Sequence, residues 1–385
     1  MNPKPILVID VGSTKACCVV GRAHAIDVEL LGWGLRPYPA PSTTWPCDAA
    51  MVARSVEQAL EDARVASLPD RAIIVLSHPQ LHHARIAAQI DLADEPVAVR
   101  SRDLVRLKTQ ALSQALSIDR DALCLEALGY AGNGFEGAND PRGLIATRLS
   151  GTFQLVSMPL AVRRMVTQVL DALGLELERL IYSPQAIAAC CVEEAWLSKR
   201  VLLVDIGGCG TEMAVIEQSR LIRTGSAAWG GVLVAEQVAK TCRMTLDCAI
   251  TESLEGLASP KPSVKQVIER QVGVLQQQLH GFLKDDPLPH AVIVTGRGAL
   301  MDGLVECLGQ MIELKATLGR SRRAQRTGDL ATQVGLTPAI GALELACMQK
   351  GSDPFPTKRG QTPSTPSRLV DRLLDRTKTL LTEYF

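Results

Sequence analysis

Aromatic side chains are scarce in this chain, 3% of 385 residues, and basic and acidic residues cancel at 41 each. Neither a stacking platform of interleaved aromatics nor a whole-protein positive field is therefore expected, and nucleic acid is not an expected partner. The eleven cysteines contain no C-x-x-C, and the adjacent pairs Cys17-Cys18 and Cys190-Cys191 sit in apolar runs, so they read as buried, reduced thiols. No G-x-x-x-x-G-K-[ST] loop and no convincing dinucleotide fingerprint occurs. No window approaches the roughly 18 uncharged apolar residues of a spanning helix. The apolar stretch after the N-terminus ends at Asp10 without a cleavage site, so the expected compartment is the cytoplasm, with any membrane contact peripheral.

What is present is a folded composition, 46% apolar and 21% charged, long enough for two to three domains. It also repeats. Ile6 to Lys15 (ILVIDVGSTK) is echoed by Val201 to Thr211 (VLLVDIGGCGT), with Asp10 and Asp205 about 195 positions apart. A second apolar stretch, a polar turn and a third stretch follow each copy, then Trp33-Gly34 or Trp229-Gly230 at nearly the same offset. Both copies read as strand-turn-strand meanders, so the chain has two homologous halves.

Helical periodicity marks Met51 to Val65, Leu160 to Leu173 and Val264 to Leu283. His290 to Thr295 reads as a short strand, and Ala299 to Leu308 as the helix after it. Strands alternating with helices give an α/β protein with sheets covered by helices. From Lys350 the chain becomes rich in Pro, Ser, Thr and Gly, as in an extended linker. Beyond it, Leu369/Val370, Leu373/Leu374, Leu380/Leu381 and Tyr384/Phe385 form one apolar stripe of an amphipathic helix.

Each repeat ends a buried strand in an Asp and then turns through glycines, whose backbone N–H groups suit an anion. Beside a triphosphate such a carboxylate holds water on a hydrated Mg²⁺, a role open to Asp10 and Asp205. Lys15 offers a cation for the β- or γ-phosphate. Thr295-Gly296-Arg297-Gly298 adds a third glycine turn, where backbone could approach a purine. The bland alternative is that all three are turns chosen for backbone shape.

These residues resemble the actin, sugar-kinase and heat-shock ATPase superfamily, and within it the FtsA family of bacterial cell division. The resemblance implies an actin-like two-domain fold, with duplicated ribonuclease H-like meander cores around an ATP·Mg²⁺ cleft. Asp10, Gly12, Ser13, Thr14 and Lys15 match the first phosphate loop. Gly207, Gly208, Cys209, Gly210 and Thr211 after Asp205 match the second, and Gly296, Arg297 and Gly298 the adenosine loop. Ser183 to Ala188 and Pro338 to Ala342 match the joining helices, where Gln185 could position an attacking water or merely start a helix. Gly129 to Leu149 is similar to the end of the family's inserted subdomain. Cys209, Gly210, Glu212 and Arg297 depart from the family pattern, and Leu246 to Glu252 lacks the lysine expected near the ribose, which favours nucleotide binding with weak or absent ATPase activity.

The implied organisation is subdomain 1A at 1–80 and 160–184, inserted subdomain 1C at 81–159, 2A at 185–230 and 286–349, and 2B at 231–285. A linker (350–366) and a membrane-targeting helix (367–385) complete it. The implied function is a filament at the cytoplasmic face of the cell membrane that tethers the FtsZ ring and helps recruit other divisome proteins. The FtsZ C-terminal peptide would dock on 231–285, where Lys261, Lys265 and Arg270 offer positive charge. The tail carries four basic side chains against three acidic ones and the terminal carboxylate, so one helix binds lipid weakly and a polymer of many gains avidity. A pilus-assembly adaptor resembling PilM and a small-molecule kinase of the same superfamily are the alternatives.

Overall fold

The computed structural model describes residues 3–24, 28–40, 42–46, 48–284 and 286–349. The linker at 350–366 and the stripe Leu369, Val370, Leu373, Leu374, Leu380, Leu381, Tyr384 and Phe385 lie outside the described residues. Contacts divide the described residues into one unit of 3–81 with 161–347 and a second at 82–160.

In chain order the first half comprises β1 (Pro5–Val11), β2 (Lys15–Ala23), β3 (Val28–Pro37), α1 (Ala49–Ala63) and β4 (Arg71–Leu76). The second unit follows, with β5 (His82–Asp91), β6 (Val97–Ala98), α2 (Ser101–Ala115), β7 (Arg120–Gly132), β8 (Phe135–Ala138), β9 (Ile145–Ala146) and β10 (Arg148–Pro159). Next come α3 (Leu160–Leu173), β11 (Glu176–Tyr182), α4 (Ser183–Cys191), β12 (Val201–Ile206), β13 (Thr211–Glu217) and β14 (Arg220–Ala227). The chain continues through α5 (Gly231–Cys242), α6 (Leu246–Leu254), α7 (Pro262–Leu283), β15 (Ala291–Thr295), α8 (Leu304–Met311), β16 (Ala316–Leu318) and α9 (Leu330–Gln349).

Two five-stranded sheets share one plan, β11-β4-β1-β2-β3 and β14-β13-β12-β15-β16. The repeated apolar runs become the central strands β1 and β12, each antiparallel to the next strand in the chain and parallel to a later one. A strand covered on both faces needs an unbroken apolar run, and each Val, Leu or Ile fully buried there contributes about 1.5–3 kcal/mol. The matching registers put Asp10 beside Cys17 and Val75, and Asp205 beside Glu212 and Thr295. Parallel strands end on the same side, so the segments after β4 and β15 lie beside the two aspartates.

The Trp-Gly echo does not survive as a structural equivalence. Trp33 lies inside the ten-residue β3, paired with Val19. Trp229 lies beyond the eight-residue β14, its indole N–H donating to the Gln271 carbonyl at 2.7 Å. The helix expected from Ala299 also starts later: Arg297–Leu300 is a 3-10 turn, Gly303 takes a φ of 75°, and α8 begins at Leu304. Leu330–Met348 is long and apolar enough to cross a membrane by length and composition, which corrects the absence of such a window. More than half of it is buried, and Ala339, Ile340, Leu343 and Ala346 pack into the core of the first half.

The second unit is an antiparallel sheet, β5-β10-β7-β8, with α2 on one face. Leu107 and Ala111 of α2 pack with Tyr130, Leu149 and Phe153.

In the first unit α4 leads from one sheet to the other, and α9 crosses it at Gly341. A Cβ there would lie 1.9 Å from the Ala186 carbonyl oxygen, so the helices approach only through glycine. Gly341→Ala is expected to lower stability by about 1–3 kcal/mol in urea denaturation, as overpacking does. Gly273→Ala on α7, where an added methyl meets nothing within 4 Å, is expected to raise it by about 0.5–1 kcal/mol.

Candidate nucleotide-binding site

The β1–β2 and β12–β13 connections are closed by the same bond. Gly12 N–H donates to the Lys15 carbonyl at 3.0 Å, and Gly207 N–H to the Gly210 carbonyl at 2.9 Å. Tyr38 braces the first turn, its N–H on the Thr14 carbonyl at 3.0 Å and its hydroxyl on the Gly12 carbonyl at 3.1 Å. The start of α5 braces the second: Gly231 N–H donates to the Gly207 carbonyl and Val232 N–H to the Gly208 carbonyl, at 3.0 and 2.9 Å. Gly230 permits this, because a Cβ there would lie 2.4 Å from the Gly208 carbonyl oxygen.

The turns meet at their tips. Cys209 N–H donates to Ser13 Oγ at 3.1 Å, and a Cβ on Gly208 would lie 2.3 Å from Thr14 Cγ2. The Cys209 thiol donates to the Ser42 carbonyl at 3.3 Å. Among the described residues, the N–H groups of Ser13, Thr14 and Gly208 take no hydrogen bond. Thr211 is fully buried with its hydroxyl on the Trp229 carbonyl at 2.8 Å, so only its backbone serves the turn.

The third glycine turn packs on the second. Gly296 has a φ of 82°, and a Cβ there would lie 2.6 Å from Asp205 Oδ1; one on Gly298 would lie 2.5 Å from Ile206 Cγ2. Arg297 between them is exposed, its stem passing Gly335 of α9.

Asp10 and Lys15 form a buried ion pair across the first turn. Burial opposes the charge on Lys15, but Asp10, helped by Cys17, outweighs it and holds the ammonium above its ordinary pKa. Arg297 acts in the opposite direction on Lys15. Burial raises Asp205 to about 6, opposed by the Ser183 hydroxyl at 3.1 Å and reinforced by Asp10. Burial raises Glu212 further, to about 8, although the Tyr182 hydroxyl donates to it at 2.7 Å and the His78 backbone also bonds to it; Asp205 reinforces the rise.

A cavity of about 30 Å³ remains between these groups, lined by Ser13, Asp205, Gly207, Gly210 and Glu212 and, from the segments after Thr44 and β4, by Trp45, Ser77, His78 and Pro79. His78 and Trp45 are in edge-to-face contact with centroids 4.7 Å apart. Gln185 sits half-buried in the first turn of α4 and makes no hydrogen bond with the described residues; Ser183, in that same turn, is the one on Asp205. Sequence reading missed Tyr182, Ser183, His78 and Trp45. The available signal was positional: Tyr182 ends β11 with Ser183 after it, and Ser77-His78 follow β4, both strands running parallel within Asp10's own sheet.

Among the described residues no three His, Cys, Asp or Glu side chains cluster to cage a metal ion. Two carboxylates within electrostatic reach of each other, Asp10 and Asp205, suit a cation that keeps its own water. Free N–H groups at Ser13, Thr14 and Gly208, glycines wherever a Cβ would fill the cradle, and the cations Lys15 and Arg297 suit a polyphosphate. The direct Ser13–Cys209 contact ties the two turns together at their tips.

Glu212 gives the site a pH signature. Its folded value of about 8 exceeds the ordinary 4.5, so between these the folded chain holds a proton that the unfolded chain has released. The resulting stability is full below about pH 4.5 and is lost as pH rises through 8, by at most about 1.4 kcal/mol per pH unit. Urea midpoints measured from pH 5 to 8 are expected to fall more steeply for the natural chain than for Glu212→Gln.

No family model matches the chain. Among curated proteins it is similar to the cell division protein FtsA of Neisseria meningitidis serogroup B, 23% identical over 384 residues covering 91% of this chain and 92% of that one. It is similar also to FtsA of Pseudomonas aeruginosa, 21% identical, covering 91% of each. Among solved structures it is similar to the PilM-PilN type IV pilus biogenesis complex, with a TM-score of 0.67, 15% identity and coverage of 91% of this chain and 99% of that one. MreB5 of Spiroplasma citri bound to AMPPNP gives a TM-score of 0.50 at 12% identity, covering 90% of this chain and 96% of that one. The chain is FtsA-like in sequence and has the actin-like ATPase fold.

Proposed function

We propose that this FtsA-like chain is an actin-like cell-division protein that binds ATP with Mg²⁺ between its duplicated turns and assembles on the cytoplasmic face of the membrane at the division site. The observation that carries this reading is the pair of identically tied glycine turns meeting at Ser13 and Cys209, in a chain similar to FtsA over 91% of its length. Gly12 to Lys15 and Gly207 to Thr211 hold the phosphates, Asp10 and Asp205 hold the hydrated ion, and Gly296 to Gly298 face the adenosine. The bound nucleotide supplies a ligand that both halves grip at once. Hydrolysis is weak or absent, because a Glu212 carboxyl that keeps its proton to about pH 8 does not serve as a base and Gln185 has no tie to the site.

The proposed organisation keeps residues 81–159 as the inserted subdomain through which copies assemble, and 231–285 as the dock for the FtsZ C-terminal peptide. Lys261 is paired with Glu252, whereas Lys265 and Arg270 are exposed on α7 and open to an acidic partner. The amphipathic segment 367–385 tethers the filament to lipid, and further divisome proteins join it there.

Asp10 is a poor target for testing this, because its loss strands the Lys15 charge in a buried place. Asp205→Asn keeps the shape and the Ser183 contact. Titration calorimetry with Mg·ATP is expected to show binding by the natural chain and at least about tenfold weaker binding by Asp205→Asn. Absence of binding by both contradicts the nucleotide site.

The likeness to the PilM complex favours a second reading, a pilus-assembly adaptor with the same cleft. The two part at the C-terminus. Anionic vesicles are expected to co-sediment the natural chain but not Leu373→Glu/Leu374→Glu; equal recovery of the two without lipid dependence favours the adaptor.

A further inference from the structure

A second groove lies away from the glycine turns. It measures about 2110 Å³ and runs between β3, the outermost strand of the first sheet, and β16, the outermost strand of the second. None of its lining comes from the described residues of 231–285, the surface offered above to the FtsZ peptide. Its floor includes the end of α4 and the beginning of β15.

Both long walls are strand edges. β3 pairs with β2 on one side, and its other edge carries backbone N–H and C=O groups with no strand beside them among the described residues. At one end that edge is already used: the Arg323 guanidinium donates to the Val28 carbonyl at 2.8 Å. The remaining edge, past Leu30, Leu31 and Trp33, stays half-buried in the groove. Unpaired edge groups in a partly desolvated trough are best satisfied by another main chain, and alternate side chains of an added strand then meet apolar walls at Trp33 and Trp196.

The charges in the groove are unequal. Asp62 is paired with Arg36, Glu193 with Arg322 and Glu344 with Arg323. Arg64, Lys315 and Arg326 are exposed and make no ion pair among the described residues, and Arg320 donates only to the neutral Gln333 side chain at 2.5 Å. Against these four cations stands one uncommitted carboxylate, Glu194. A partner that enters must bring negative charge. A basic or neutral strand would leave the excess uncompensated.

We infer that this groove is a docking site for an acidic, extended peptide segment of a partner protein, which adds as a strand to the free edge of β3 while its carboxylates meet Arg64, Lys315, Arg320 and Arg326. The main chain supplies affinity through edge hydrogen bonds, and the arginine-rich wall selects for charge. Because β3 belongs to one half and β16 to the other, the docked strand touches both halves at a place remote from the glycine turns.

The test uses the full chain and a fluorescein-labelled dodecapeptide of alternating Glu and Val, followed by fluorescence anisotropy. Binding is expected, weakening with added NaCl, and weakening at least about tenfold in Lys315→Glu/Arg326→Glu, whose altered side chains are exposed. The same peptide N-methylated at alternate residues is expected to lose binding, as strand addition requires. No binding of the Glu/Val peptide overturns the inference. So does equal binding of a Lys/Val peptide, of the N-methylated peptide, or by the charge-reversed chain. A synthetic peptide of residues 367–385 that displaces the probe at lower concentration than the unlabelled acidic peptide overturns it too, by giving the groove to the chain's own C-terminal segment.

Discussion

The Cys209 N–H bond to Ser13 Oγ exists because two hairpin turns 196 positions apart in the sequence are built to touch. Each turn ties its own first glycine N–H to the carbonyl three residues on, which fixes the backbone without a side chain. Gly208 then lets the second turn approach Thr14 to a distance that any Cβ would forbid. Everything chemical in the cleft depends on that approach: it brings Asp10 and Asp205 into mutual electrostatic reach and leaves only a small cavity between the halves.

The electrostatics follow from burial at this junction. Taking four ionisable groups out of water in one place leaves two ways to lower the cost, pairing and protonation. Asp10 and Lys15 take the first way. Asp205 and Glu212 lie on adjacent strands and are held toward their neutral forms by burial. The hydroxyls of Ser183 and Tyr182 satisfy their oxygens. A cationic ligand arriving with a polyphosphate changes this balance, since it favours the charged carboxylates. A cation held beside these carboxylates would therefore compete with their protons.

The duplication, the two aspartates and the glycine turns were legible in the sequence because strands buried on both faces need unbroken apolar runs and tight turns need glycine. The α/β alternation was legible for the same reason. The side chains that flank Asp205 and Glu212 were not. Tyr182, Ser183, His78 and Trp45 come from three separated segments, and only the parallel pairing of β11, β4 and β1 brings strand ends together. The Trp33 and Trp229 echo misled because equal spacing along the chain is not equal position once β3 and β14 differ in length. Leu330 to Met348 shows the converse, a stretch apolar enough for lipid whose environment is the core of the first half.

The central claim is that the two turns part to receive one nucleotide. Crystals of the full chain soaked with Mg·AMPPNP test it most directly. The account predicts density for the phosphates between Ser13 and Gly208, a hydrated ion beside Asp10 and Asp205, and loss of the Ser13–Cys209 bond. Phosphate density elsewhere, with Ser13 and Cys209 still bonded, would contradict it.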